Sequence, residues 1–132
     1  MVKFTMKTLA IDFGEKRIGL AISDELGISS APLKTINVRT DDESIKEIVK
    51  TYNEQKADQV LFGIPLNPDG SLGKIGNSVK RFGAKLKKKL NTKIIYWDEY
   101  FSSKTAENKG SKDVDSEAAR IILQEFLNAN GN

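Results

Sequence analysis

The chain has 132 residues, of which 39% are hydrophobic and 30% charged, with a formal net charge of +3 and a pI near 9.0. That length suits one domain, no apolar run approaches the roughly 18 residues of a membrane helix, and the N-terminus reads as carrying no secretory signal. Cysteine and histidine are both absent, which excludes disulfides, thiolate or imidazole zinc sites and Ser-His or Cys-His catalysis, and makes a reducing cytoplasm the expected compartment.

An enzyme built from this alphabet works with carboxylates, lysines, hydroxyls, backbone groups and a hard metal ion. The first element is a predicted β-hairpin, with strands over residues 8–13 and 18–23 and a turn at Gly14 to Arg17. Asp12 stands near the end of its first strand. A carboxylate inside an apolar strand is costly unless it is paired, hydrogen-bonded or bound to a metal. The polar stretch from Asp24 to Ala31 reads as a loop, and Lys34 to Val38 alternates as a short third strand.

A helix is expected from Thr40. Thr40 and Glu43 have capping-box spacing, Asp41 and Asp42 bring negative charge to the first turn, and Ile45, Ile48, Val49 and Tyr52 recur at helical spacing. Gln59 to Ile64 is a compact apolar run that reads as a buried parallel strand. A Pro/Gly-rich loop over 65–73 follows, then a helix over roughly Asn77 to Leu90 with Val79, Phe82, Leu86 and Leu90 on one side. Its lysines form either a solvated face or a phosphate-contacting surface. Lys93 to Trp97 is a predicted strand, Ser102 to Asn108 a short helix, Lys109 to Asp113 a loop, and Asp115 to Asn128 a closing helix.

This order of elements predicts an α/β fold: a mixed five-stranded sheet flanked by helices, with an antiparallel opening hairpin and parallel crossovers after it. No repeat or linker divides the chain, so residues 1–132 read as a single domain. Strands one, four and five end on one edge, where ligands of open α/β sheets bind. Asp12 is near that edge, and Asp98 and Glu99 close the fifth strand. Strand alternation sends those two to opposite faces, so one of them joins Asp12. Asp115 opens the last helix, where an N-cap is expected. Converging carboxylates raise one another's pKa unless a cation neutralises them. An oxygen-only donor set suits Mg²⁺ or Mn²⁺, and such sites activate water against a phosphodiester.

Four segments resemble the YqgF (RuvX) family. Ala10-Ile11-Asp12-Phe13-Gly14 with Lys16-Arg17-Ile18-Gly19 and Ala21-Ile22-Ser23-Asp24 is similar to its opening motif. Gly63-Ile64-Pro65-Leu66-Asn67-Pro68-Asp69-Gly70-Ser71 is similar to its Gly-Leu-Pro-Leu-Asn-x-Asp-Gly loop. Asp98-Glu99 resembles the start of its Asp-Glu-Arg segment, and Val114-Asp115-Ser116 with Ala118-Ala119 its closing helix motif. The resemblance implies an RNase H-like fold and a bacterial cytoplasmic nuclease, assigned to pre-16S rRNA processing and earlier to Holliday junction resolution. It implies catalytic and metal-binding roles for Asp12, Asp98 or Glu99, and Asp115. Lys16, Arg17, Asn67, Gly70, Ser71, Lys80, Arg81 and Lys112 are then expected along the nucleic acid. The partner is structured RNA or branched DNA, and the protein a monomer or weak homodimer.

Three departures from the family pattern bear on substrate and activity. Glu15 replaces a small residue, Tyr100 replaces the arginine of Asp-Glu-Arg, and the segment Lys109 to Asp113 is short. Two other classes of function compete. One is a catalytically weak nucleic-acid-binding module on the same fold. The other is a nucleotide-binding protein of the sugar-kinase or actin type, which shares the Asp-x-Gly hairpin but closes two domains over its ligand. A protein kinase is excluded, for the chain lacks a glycine-rich loop and a His-Arg-Asp motif.

Overall fold

The structure, a computed structural model, describes residues 6–98 and 114–130. In chain order its elements are β1 (Thr8–Phe13), β2 (Arg17–Ser23), β3 (Ser30–Asn37), α1 (Asp41–Gln55), β4 (Gln59–Ile64), α2 (Lys74–Lys89), β5 (Lys93–Asp98) and α3 (Val114–Asn130). The five strands form one sheet in the order β3-β2-β1-β4-β5. The β1–β2 and β2–β3 pairs are antiparallel, while β1–β4 and β4–β5 are parallel. The expected mixed sheet is therefore present, with β1, β4 and β5 ending on one edge.

Strand alternation divides the interior into two layers. Leu9 and Ile11 of β1, Ile18, Leu20 and Ile22 of β2, and Val60, Phe62 and Ile64 of β4 pack with Ile45 and Ile48 of α1 and Val79, Phe82 and Leu86 of α2. The other face carries Ala10, Ala21 and Leu61 against Ala119, Ile122, Leu123 and Leu127 of α3. Burying a large apolar side chain such as Phe62 or Leu123 contributes roughly 1.5–3 kcal/mol. The floor under α3 is built of small residues, so this helix lies close to β1 and β2.

The spacing-based expectations for α1 are met. Thr40 is the N-cap, its side chain accepting from the Glu43 amide at 3.1 Å. The bounds of β1 and β4 are also as expected, while several other elements begin earlier. β2 begins at Arg17, one residue early. β3 begins at Ser30, inside the stretch read as a loop, and includes Pro32. It lies at the sheet edge, where a proline that cannot donate to the ladder is tolerated, and the β2–β3 register shifts between Leu20 and Ala21. Helix α2 begins at Lys74, three residues before Asn77, with Gly73 as its N-cap. Its interior glycine, Gly83, has a packing reason: a Cβ there would come within 2.2 Å of the Tyr96 hydroxyl. Helix α3 begins at Val114, which puts Asp115 inside the first turn and corrects its expected N-cap position. The expected helix at Ser102 to Asn108 and loop at Lys109 to Asp113 lie outside the described residues.

Candidate active site at the carboxyl edge of the sheet

Asp12 is the fifth residue of β1 and is half-buried. Alternation puts it on the side of Ala10, the face that α3 covers. Its cross-strand partner in β2 is Gly19. Directly over Gly19 lies the first turn of α3: a Cβ on Gly19 would sit 1.9 Å from the Asp115 carbonyl oxygen and 2.7 Å from the Ser116 amide nitrogen. Only a residue without a side chain fits between the two elements. Glycine at this position thereby brings Asp115, remote in sequence, to the strand pair that carries Asp12.

The Asp115 carboxylate accepts from Arg17, Nε to Oδ2 at 2.9 Å. Arg17 opens β2, on the same face as Gly19, and its guanidinium bridges the hairpin to α3. The pair is open to water, the Arg17 side chain being 60% exposed and that of Asp115 27%, so its net stabilising effect is small. Its consequence is positional: it fixes one carboxylate oxygen of Asp115 toward the hairpin turn.

Asp98, the last residue of β5, has the parity of Ile94 and Tyr96, which face α1 and α2. Ile95 and Trp97 face α3, with Trp97 packed edge-on against Phe126 at 5.5 Å. Asp98 is thus on the register opposite to Asp12. The other acid expected here, Glu99, and the expected substrate contact Lys112 lie outside the described residues. Among the described residues, no three carboxylates gather closely enough to hold a metal ion. Asp12 and Asp115 lie on facing elements, and their hard oxygen donors suit Mg²⁺ or Mn²⁺ in chemical type.

Beside Asp115 is an open groove of about 560 Å³. The hairpin turn, with Glu15, Lys16 and Arg17, forms one wall, and Lys74, Ile75 and Ser78 of α2 form the other. Phe13 and Asp115 also line it. The expected contacts Lys16 and Arg17 are thus on the groove, and so is the unusual Glu15. Lys74 and Ile75 were missed because the expected helix began at Asn77, and Ser78, inside that helix, was not picked out as a contact. The glycine at 73 was the available signal, since glycine is favoured at N-caps.

Of the remaining expected contacts, Asn67, Gly70, Ser71 and Lys80 are engaged elsewhere. Asn67 donates through Nδ2 to Ser71 Oγ at 3.1 Å, and Gly70 donates its amide to the Asn67 carbonyl at 2.8 Å. Ser71 donates its hydroxyl and its amide to the Asp69 carboxylate, at 2.6 and 2.9 Å. Those bonds hold Asp69 below the usual carboxylate range, the hydroxyl bond being the larger cause. This loop is closed on itself. Lys80 lies over the Tyr96 ring, 3.9 Å from its centre. Burial pushes the Tyr96 phenol up. Lys85 pairs with Asp41 at 2.9 Å, and Lys87 donates to the Thr92 carbonyl. The α2 cations are therefore spread around the helix, and Arg81 is exposed.

A five-stranded mixed sheet with acids from β1 and the closing helix at its carboxyl edge defines a protein of the RNase H-like class. Solved structures agree: Thermus thermophilus RuvC in complex with a Holliday junction substrate superimposes with a TM-score of 0.59 at 13% identity, covering 96% of both chains. The Fowlpox virus resolvase with Holliday junction DNA gives 0.58 at 15%, covering 94% of this chain and 98% of that one. At sequence level, the family described as RuvX, Holliday junction resolvase, matches residues 6–129. A Geobacillus kaustophilus protein assigned as a pre-16S rRNA nuclease is 35% identical, with 94% of this chain and 99% of its own length covered. A Clostridium tetani protein of the same assignment is 38% identical, with 94% and 97% covered. The chain belongs to the RuvX family, and with it to the phosphodiester-cleaving enzymes.

Proposed function

We propose that this protein is a divalent-metal-dependent endonuclease of the cytoplasm, acting on structured RNA in maturation of the 5′ end of pre-16S rRNA. The observation that carries this reading is the seating of Asp115 on Gly19, opposite Asp12 in the β1–β2 ladder. That seating supports bringing two acids far apart in sequence to one sheet edge, the edge where α/β proteins bind ligands. Relatives covering nearly the whole chain carry the rRNA nuclease assignment, which supports RNA as the substrate.

Asp12 and Asp115 would hold Mg²⁺ or Mn²⁺, with Glu99 as the acid contributed after β5. The chemistry such an ion supplies is Lewis-acid activation of water and neutralisation of charge on the phosphate. The protein's part is to orient these carboxylates. Arg17 holds Asp115 toward the groove, and Lys16 and Lys74 attract the phosphate backbone. A second reading, cleavage of branched DNA, is favoured by the family's description as Holliday junction resolvase. It requires two symmetric cuts and hence a dimer, whereas RNA processing is open to a monomer.

The test is cleavage of a precursor 16S 5′ segment and of a four-way DNA junction, each with Mn²⁺. The expected result is RNA cleavage by the wild type and its loss in Asp12→Asn, with RNA binding kept. Wild-type cleavage by Asp12→Asn would remove Asp12 from the mechanism. Preferential cutting of the junction by a dimeric protein would establish the second reading.

A further inference from the structure

We propose that the groove beside Asp115 receives one unpaired nucleotide, its base against Ile75 and Phe13 and its phosphates near Lys16 and Lys74. The proposal rests on the nuclease reading for the identity of the ligand as nucleic acid. It adds that the strand is single at this position.

Ile75 stands in the first turn of α2 with 61% of its surface exposed, and it lines the groove. Exposure alone decides nothing, for Leu26 and Ile28 on the β2–β3 loop are comparably exposed. Ile75 differs in what surrounds it. Phe13, half-buried and tilted against Phe82 with ring centres 4.7 Å apart, lines the same groove. Lys16 and Lys74 stand at its walls. The groove thus joins an apolar floor to a rim on which the cations Lys16, Arg17 and Lys74 outnumber the acids Glu15 and Asp115.

That pairing matches one kind of nucleic acid surface. A duplex hides the faces of its bases and offers phosphates, sugars and base edges. An unstacked nucleotide offers an apolar base face as well as its phosphate, and proteins that take single strands answer with apolar or aromatic platforms in cationic grooves. A volume of about 560 Å³ is within the roughly 300–1,000 Å³ of small-ligand sites and is enough for one nucleotide. Ser78 supplies a polar group there: its hydroxyl donates to the Lys74 carbonyl at 3.2 Å, which leaves its oxygen able to accept from a base edge.

The experiment uses the full chain in chelator, so that binding is read without cleavage. The probes are a short single-stranded oligoribonucleotide carrying one fluorescent adenine analogue and the same strand annealed to its complement. The wild type is expected to bind the single strand more tightly and to change the analogue's fluorescence. Ile75→Ala should weaken single-strand binding about fivefold or more and leave duplex binding unchanged, while Ile75→Trp should strengthen it. Equal affinity for both probes, or equal effects of the variants on both, would overturn the proposal. The Mn²⁺ cleavage assay is separate: loss of the nuclease reading shows there, and loss of this one shows in chelator.

Discussion

Gly19 lies so close beneath the Asp115 carbonyl that an added Cβ would be 1.9 Å from its oxygen. The contact is backbone to backbone, so no side-chain rotation can relieve a larger residue. Gly19→Ala must lift the start of α3 or shear β2. It should cost about 1–3 kcal/mol of stability, as overpacked positions do, measured by urea unfolding. The larger expected loss is in Mn²⁺ affinity by calorimetry under native conditions, because Asp115 moves with the helix. A variant of unchanged metal affinity would separate Gly19 from the site.

Asp98 and Trp97 sit on opposite registers of β5, and Trp97 shares the α3 face with Asp12. Asp98→Asn should therefore change cleavage by less than about tenfold, whereas Glu99→Gln should lower it by at least about 100-fold, the upper range for perturbing a metal site's supporting groups. Single-turnover cleavage with Mn²⁺ reads both. The opposite order would assign the third carboxylate to Asp98.

Arg17 and Asp115 form an ion pair open to solvent. Arg17→Ala should alter stability by no more than about 1 kcal/mol. RNA affinity in chelator should fall, and its salt dependence should flatten by roughly one counterion. Arg17→Lys should keep the charge but not the directed Nε contact. Its cleavage rate is then expected between wild type and Arg17→Ala, with affinity largely restored. Equal cleavage in Arg17→Lys and wild type would reduce Arg17 to a point charge.

Three carboxylates away from the acid pair titrate low. The Ile28 amide is the main cause at Asp24, the Lys34 ammonium at Glu47 and the Ser71 hydroxyl at Asp69. Each is depressed on folding, so its stabilising effect is present above the ordinary carboxylate range and lost as pH falls through the lowered value. Urea midpoints should fall between about pH 5 and pH 3. Asp24→Asn, which removes the titrating group at the β2–β3 loop, should flatten that fall. An unchanged slope would show that Asp24 is equally hydrogen-bonded when unfolded.

Local chemistry was enough to place most elements. The Thr40 cap, the α1 spacing of Ile45 and Ile48, and the apolar run Gln59 to Ile64 all read directly, because capping and periodicity act over a few residues. Boundaries were harder. β3 extends back to Ser30 because β2 pairs with it there, and α2 starts at Lys74 because Gly73 can cap it. Asn67 and Ser71, expected on the substrate, bond to each other instead. A loop's internal hydrogen bonds depend on how it closes, which its composition does not specify.

By itself the sequence determined that Asp12 is an acid inside an apolar strand, that Asp98 and Glu99 alternate, and that no nitrogen or sulfur ligand from histidine or cysteine exists. Only the tertiary structure decided which face of the sheet receives α3, and with it Asp115: the helix packs where Ala10, Gly19 and Ala21 leave room for it to come close. Steric fit between elements far apart in the chain carries no local signal, and it is this fit that sets Asp115 beside the β1–β2 hairpin.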